Sequence, residues 1–336
     1  MPTYVVTGGA GFIGSNFVRL ALERDAGLAI VTIDLLTYAG NLANLVGVPR
    51  ERHTFIRADI SVSDAMADAV PDGADALINF AAETHVDRSI LSPGAFARTN
   101  VVGTQVLLDV AREKGVKRFL QVSTDEVYGS LGPEEPAFTE AHPLVPSSPY
   151  AASKAGADLL VLAAHHTYGQ DARLTRCSNN YGPYQFPEKL IPLMLSNALD
   201  DRPLPVYGDG RQVRDWIYTD DHSRAILAVL EGGRPGAVYN IGARCERFNI
   251  DVVRAILREL GKPESLIQLV KDRPGHDRRY AIDPTRVEAE LGWRPEVLFE
   301  EGLARTIRWY REHEDWWRRV KDGSYREFYD EWYGDR

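Results

Sequence analysis

The densest chemistry in this sequence is a hydroxyl followed by two carboxyls, Thr124-Asp125-Glu126, and, downstream, a phenol and an amine, Tyr150 and Lys154. Removing water from adjacent carbons needs an ionised base for one proton and a protonated acid for the departing hydroxyl. Neighbouring carboxyls in different surroundings can divide those tasks. Tyr150 and Lys154 are four apart and share a face if their segment is helical. A free tyrosine titrates near ~10, so roughly one in a thousand is ionised at neutral pH. An ammonium ~4 Å away is worth ~4 kcal/mol at an effective dielectric of ~20. The pair is therefore expected to bring the phenol near neutrality, where it can act as a base.

A second constellation lies at the start of the chain. Gly8, Gly11 and Gly14 recur every third residue within Thr7-Gly8-Gly9-Ala10-Gly11-Phe12-Ile13-Gly14, where an apolar run gives way to a helical pattern. Glycine permits a tight turn and lets the backbone approach a pyrophosphate, whose charge meets the helix N-terminus. Asp34 lies 20 residues past Gly14, at the end of the next apolar run. A carboxylate there can accept hydrogen bonds from ribose hydroxyls and repels a 2′-phosphate, which favours NAD over NADP.

These residues need a scaffold. Runs at 4–7, 28–33, 54–56, 76–80, 119–122 and 173–176 predict strands, and helical spacing marks 16–23, 96–114 and a helix beginning at Tyr150. Ser148 is suited to cap that helix and Pro149 to occupy its first turn. Alternating strands and helices imply right-handed crossovers and a doubly wound parallel sheet of Rossmann type. After about Asn179, prolines and glycines predict a loop-rich region built over the sheet. It is interrupted by helices at 191–199 and 251–260, while 237–241 can return to the sheet. The aromatic C-terminal stretch, with Trp309, Tyr310, Trp316 and Trp317, is expected to pack. The expected division is a nucleotide-binding domain over 1–178 plus about 215–242, and a smaller domain over 179–214 and 243–336.

Composition excludes other classes. The 336 residues carry 48 acidic and 39 basic side chains, a formal charge of −9, and no basic stripe, which argues against nucleic acid. No apolar stretch reaches the ~18 residues that would span a membrane. The N-terminus has no signal-peptide pattern, so the chain reads as cytoplasmic. Cys177 and Cys245 do not form a metal-site spacing and are expected to be buried filler, and no metal is expected. His85 is expected to be structural.

The glycine fingerprint with Tyr-x-x-x-Lys resembles the extended short-chain dehydrogenase/reductase superfamily, which implies a Rossmann domain plus a C-terminal nucleotide-sugar domain. Within it, Ser123-Thr124-Asp125-Glu126-Val127-Tyr128-Gly129 resembles the nucleoside-diphosphate-glucose 4,6-dehydratases, above all those acting on dTDP-glucose. So do Asn79–Ser89, Asn179–Gln185, Pro187–Pro192, Arg214–Ile217 and Asp272–Tyr280, so that the matches are spread along nearly the whole chain.

The resemblance implies Tyr150 as base at the sugar C4 hydroxyl with Thr124 on its oxygen, Glu126 removing the C5 proton, Asp125 protonating the C6 hydroxyl, and Lys154 assisting. It implies NAD, tightly bound and regenerated, on Gly8, Gly11, Phe12, Ile13, Gly14, Asp34, Thr37, Asp59, Ile60, Phe80, Ala81, Ala82, Thr99, Tyr150, Lys154 and Asn180. It implies sugar nucleotide on Thr84, Thr124, Asn179, Glu188, Lys189, Leu190, Pro205, Tyr207, Arg214, Asn249, Arg273 and His276. Arg214 and Arg273 suit a diphosphate and Tyr207 a stacked pyrimidine.

A homodimer through the helices at 96–114 and 150–168, as a four-helix bundle, is also implied. Thr84 stands where serine is more usual, and Ala243 where a second glycine is usual. A UDP-glucose 4,6-dehydratase and a non-catalytic NAD-binding regulatory module are the alternatives.

Overall fold

The computed structural model describes residues 1–272 and 275–321. Its strands, in chain order, are β1 (Thr3–Thr7), β2 (Ala29–Asp34), β3 (His53–Arg57), β4 (Ala76–Asn79), β5 (Phe119–Thr124), β6 (Ala172–Cys177), β7 (Asn179–Tyr181), β8 (Leu204–Tyr207), β9 (Val213–Tyr218), β10 (Val238–Ile241), β11 (Glu246–Phe248) and β12 (Ile267–Val270). The helices are α1 (Phe12–Arg24), α2 (Ser63–Ala69), α3 (Val86–Leu91), α4 (Pro93–Phe96), α5 (Gly103–Glu113), α6 (Pro149–Tyr168), α7 (Leu190–Leu199), α8 (Thr219–Gly232), α9 (Asn249–Leu260), α10 (Thr285–Leu291), α11 (Phe299–Glu312) and α12 (Glu314–Lys321).

Seven strands form one parallel sheet in the order β3-β2-β1-β4-β5-β6-β10. Strands of such a sheet are covered on both faces and so read as near-continuous apolar runs. All four residues of β4 and all six of β5 are buried. One face packs on α1 and α8 through Val6, Phe17, Ile78 and Ile226. The other packs under α2, α5 and α6 through Val5, Leu77, Leu107 and Val161. The order reverses at β1, whose Thr7 pairs with Ile33 of β2 on one side and Asn79 of β4 on the other. At such a switch point a crevice opens beyond the carboxyl ends of the strands.

The expected return of 237–241 is edge strand β10. The region after Asn179 holds more regular structure than its prolines suggest. It contains a three-stranded sheet, β11-β9-β7, and a two-stranded one, β12-β8. Their core includes Trp216, Val253, Leu303, Tyr310, Trp316 and Trp317, so the C-terminal aromatics pack as expected.

The helix expected over 96–114 is interrupted. Between α4 and α5 the residues Ala97–Val102 form a π-helical turn. Its wider turn brings Asn100 inward, where its side chain accepts the Glu83 N–H (2.9 Å) and donates to the Glu83 carbonyl (3.0 Å) and to Ser153 Oγ (2.8 Å). No described helix is long and apolar enough to cross a membrane.

Candidate active site

Gly8 follows β1 with φ +70°, and a Cβ there would lie 2.5 Å from the Ala81 nitrogen. At Gly14 a Cβ would collide with the Gly8 carbonyl oxygen. The first turn of α1 therefore seats against β1 and β4 only because these residues lack side chains. Gly11 caps α1 without a side-chain hydrogen bond, leaving the helix N-terminus open toward the crevice. Asp34 closes β2; its oxygens accept the Ala10 N–H (3.0 Å) and the Leu36 N–H (2.8 Å), while burial raises its carboxyl above the usual range. A flat cradle, an open helix end and an acceptor at the neighbouring strand end fit a dinucleotide.

The crevice, about 440 Å³, is lined by Asp34, Thr37, Asp59, Ile60, Phe80, Ala81, Ala82, Thr99 and Asn180 beside the glycine turn with Phe12 and Ile13. Thr84, Asn179, Glu188, Lys189, Leu190, Pro205, Tyr207, Arg214, Asn249 and His276 line it from the second sheet system and the segment after β4. Thr124, Asp125, Glu126, Tyr150 and Lys154 lie between those groups. Arg273 lies outside the described residues. Every other site residue expected from the sequence lines this one crevice.

The carboxyl pair sits on a short turn, Asp125–Tyr128, directly after β5. Thr124 Oγ1 accepts the Glu126 N–H (3.2 Å) and donates to Asp125 Oδ1 (3.3 Å). A buried network pins the turn: Tyr128 donates to Asn240 Oδ1 (2.8 Å) and accepts from Arg176 (2.9 Å), which pairs with Asp158 of α6 (2.9 Å). Asp125 is 2 % exposed. Burial first, then the nearby charges of Glu126 and Asp215, push its carboxyl well above the usual range, which favours its protonated form. Such an environment suits an acid rather than a base.

Ser148 caps α6 by accepting the Ala151 N–H (3.1 Å), with Pro149 in the first turn as expected. Tyr150 and Lys154 then face the crevice. Here one expectation is corrected. The Lys154 ammonium donates to the Val122 carbonyl (2.7 Å), and the phenol of Tyr150 is pushed well up, chiefly by burial and then by the Glu126 charge. Weighing the ammonium's field alone omits the desolvation of a fully enclosed phenol, which acts in the opposite direction.

The second half clasps the segment after β4. Lys189 Nζ donates to the Thr84 carbonyl (2.8 Å) and Tyr207 to Asp87 (3.1 Å). Tyr38 donates to Glu188 (3.2 Å), whose carboxyl burial raises to about 7. His85 accepts the Arg88 N–H (3.3 Å) as cap of α3, the structural task expected of it, while also lining the crevice. Arg214 lies over the Tyr280 ring at 4.2 Å.

Tyr280, Asp87 and Gln185 line the site without having been named as site residues, although each lies in a segment that carries the resemblance. Cys177 is buried against the crevice with its thiol pushed up to about 12 by burial, which keeps it inert. Ala243 donates its N–H to Asp215 (3.1 Å), and the Asn249 N–H still reaches the Gln212 carbonyl (2.9 Å), so the alanine leaves that loop bonded. Among the described residues, no group of three or more metal-ligating side chains is gathered.

Residues 5–306 match the GDP-mannose 4,6 dehydratase family. The chain is 53% identical to a dTDP-glucose 4,6-dehydratase of Xanthomonas campestris pv. campestris, over 97% of this chain and 98% of that one. It is 50% identical to the Escherichia coli dTDP-glucose 4,6-dehydratase, over 96% and 97%. The crystal structure of the Streptomyces venezuelae dTDP-glucose 4,6-dehydratase with NAD and TYD bound superposes with a TM-score of 0.92 at 52% identity, over 95% of this chain and 100% of that one.

Proposed function

The chain belongs to the GDP-mannose 4,6 dehydratase family, and from that premise we propose that it is an NAD-dependent lyase converting dTDP-glucose to dTDP-4-keto-6-deoxyglucose and water, for deoxysugar biosynthesis. One observation carries the reading. Asp125, whose burial raises its carboxyl, and its neighbour Glu126 share a turn that opens onto the same crevice as Tyr150 and the dinucleotide cradle. An epimerase or simple dehydrogenase has no use for that pair.

The site residues take these roles. The glycine turn, Phe12, Ile13, Asp34, Thr37, Asp59, Ile60, Phe80, Ala81, Ala82, Thr99 and Asn180 hold the cofactor. Thr84, Asn179, Glu188, Lys189, Leu190, Pro205, Tyr207, Arg214, Asn249, Arg273 and His276 hold the sugar nucleotide. When bound, NAD⁺ supplies a cationic ring and a two-electron acceptor that withdraws electrons at C4 and restores them at C6. Tyr150 Oη takes the proton of the C4 hydroxyl, a role that needs the positive charge brought by bound NAD⁺, together with that of Lys154, to offset the burial that raises its phenol, and Thr124 Oγ1 hydrogen-bonds the C4 oxygen. A ketone at C4 acidifies the C5 proton, which Glu126 removes and which is replaced by a proton at C5 as C6 is reduced. Asp125 gives its proton to the C6 hydroxyl, which leaves as water. Enclosure of Asp125 and Tyr150 keeps bulk water from the unsaturated intermediate.

Two further readings belong to the same proposal. The chain folds as the two domains described from its sequence, and it works in the cytoplasm, in keeping with two unpaired cysteines. It also works as a homodimer. Leu159 of α6 is 59% exposed and Val102, just before α5, 49%, with Ala152 and Ala163 exposed on the same α6 face as Leu159. Such a stripe suits a partner's identical helices.

Incubation with C4-deuterated dTDP-glucose tests the reading. The expected product is one water lighter and carries the deuterium at C6, without net NADH. Deuterium lost to solvent, steady NADH production or a C4 epimer overturns it. The same assay with UDP-glucose measures how far the base is discriminated.

A further inference from the structure

We infer that His222 is a positioning residue: from beneath the crevice it donates the hydrogen bond that fixes which way the Asn180 carboxamide points. The inference rests on the reading that Asn180 holds the cofactor.

His222 lies in the first turn of α8, which follows β9 without a loop, and it is fully buried. Its Nδ1 is 2.8 Å from Asn180 Oδ1. Asn180 belongs to β7, lines the crevice, and is held along its backbone by pairing with Ile217 and by Gln185, which donates to its carbonyl (3.0 Å). Its side chain also has a partner on the opposite side, because Nδ2 donates to the Ser178 carbonyl (3.0 Å) and approaches Cys177 Sγ (3.5 Å).

These contacts settle the protons in sequence. A carbonyl oxygen can only accept, so the atom facing Ser178 is the NH2 group, and the carboxamide oxygen faces His222. That oxygen can only accept as well, so Nδ1 of His222 carries the hydrogen. Full burial, which pushes the imidazole down to about 3, keeps the ring neutral, and Nε2 is therefore a bare acceptor. No described residue donates to that Nε2. A buried acceptor left unbonded costs stability. The bond to Asn180 is thus the one hydrogen bond this buried ring makes among the described residues.

Chain geometry also explains why another side chain would not serve. Asparagine places an NH2 where histidine has Nδ1, whereas glutamine places it about where histidine has Nε2, on the wrong side of the ring. The two amides are similar in polarity and differ in where they can donate.

The experiment compares His222→Leu, His222→Asn and His222→Gln in the holoenzyme, alone and combined with Asn180→Ala. It reads kcat and KM for dTDP-glucose and the NAD retained through purification. We expect Leu and Gln to lower kcat about tenfold, the usual effect of losing one oriented hydrogen bond, with KM within about twofold and less NAD retained. Asn should stay within about threefold of the parent. In the Asn180→Ala background His222→Asn and His222→Gln should become equivalent. The proposal is overturned if Asn and Gln behave alike in the parent, if Leu folds and matches the parent in both kcat and NAD content, or if the effects of His222→Gln and Asn180→Ala simply multiply. If Asn180→Ala alone changes neither kcat nor NAD content, it is the cofactor role of Asn180 that fails. Failure of Leu to fold leaves the Asn–Gln comparison decisive.

Discussion

Asp125 lies buried on the turn after β5, with Glu126 and Asp215 as charged neighbours, so ionising it would add a negative charge where solvent cannot reach. Its neutral form is the one with a proton to give. Asp125→Asn keeps the size and a donor N–H but has no transferable proton. The expected result is a fall in water elimination on the order of a hundredfold or more, the scale of a lost general acid. Initial oxidation should survive, so reduced nicotinamide builds up in a single turnover; stopped-flow absorbance follows it. Equal losses in both steps would assign Asp125 to binding instead. The pairing of these two carboxyls was legible in their adjacency and their place at a strand end. What adjacency could not tell was how strongly enclosure acts: the same burial that favours Asp125 also lifts Tyr150, opposing the pull expected from Lys154. Fields from a neighbour can be estimated from spacing, but desolvation depends on what the fold places around a group.

At the scale of elements, the strands of the large sheet were legible because they are buried on both faces and thus apolar throughout. Helix α8 was not, although it covers that sheet. Thr219, Asp221, His222 and Ser223 are all fully buried in its first turn, so polarity there does not mark the solvent side and helical periodicity is lost. Asp221 is spent on structure, accepting the Glu296 and Val297 N–H groups (3.1 and 2.9 Å). The same failure hid β9, whose Arg214 and Asp215 point inward. The junction of β1 with α1 is different, since its glycine spacing is itself the signal. Gly14→Ala forces a methyl group into the Gly8 carbonyl, and α1 has to lift from the strand. Purified protein should retain less than about a tenth of the parent's NAD while its far-ultraviolet circular dichroism stays close to the parent's, the cost being steric and local. Undiminished NAD content would show that the turn can relax without disturbing the cradle.

For the whole molecule, the exposed stripe along α6 sets the expected assembly. Leu159→Glu places a charge where a partner's apolar face is proposed to sit, and an unpaired buried charge is costly. The dimer dissociation constant should rise about a hundredfold or more, read by light scattering across a dilution series. Because Leu159 is 59% exposed in the single chain, its replacement should leave the fold intact. A variant that stays dimeric would move the interface elsewhere. None of this was visible in composition, since the charge balance of the chain says nothing about which helix face is left uncovered.

The path of the chain constrains how the molecule can be divided. After β6 the polypeptide leaves the large sheet for β7, α7, β8 and β9, comes back as α8 and β10, and departs again for β11 and α9. The large sheet and the smaller sheets are therefore joined by more than one passage of backbone. An N-terminal fragment cut after β6 would consequently lack β10, the edge strand of its own sheet.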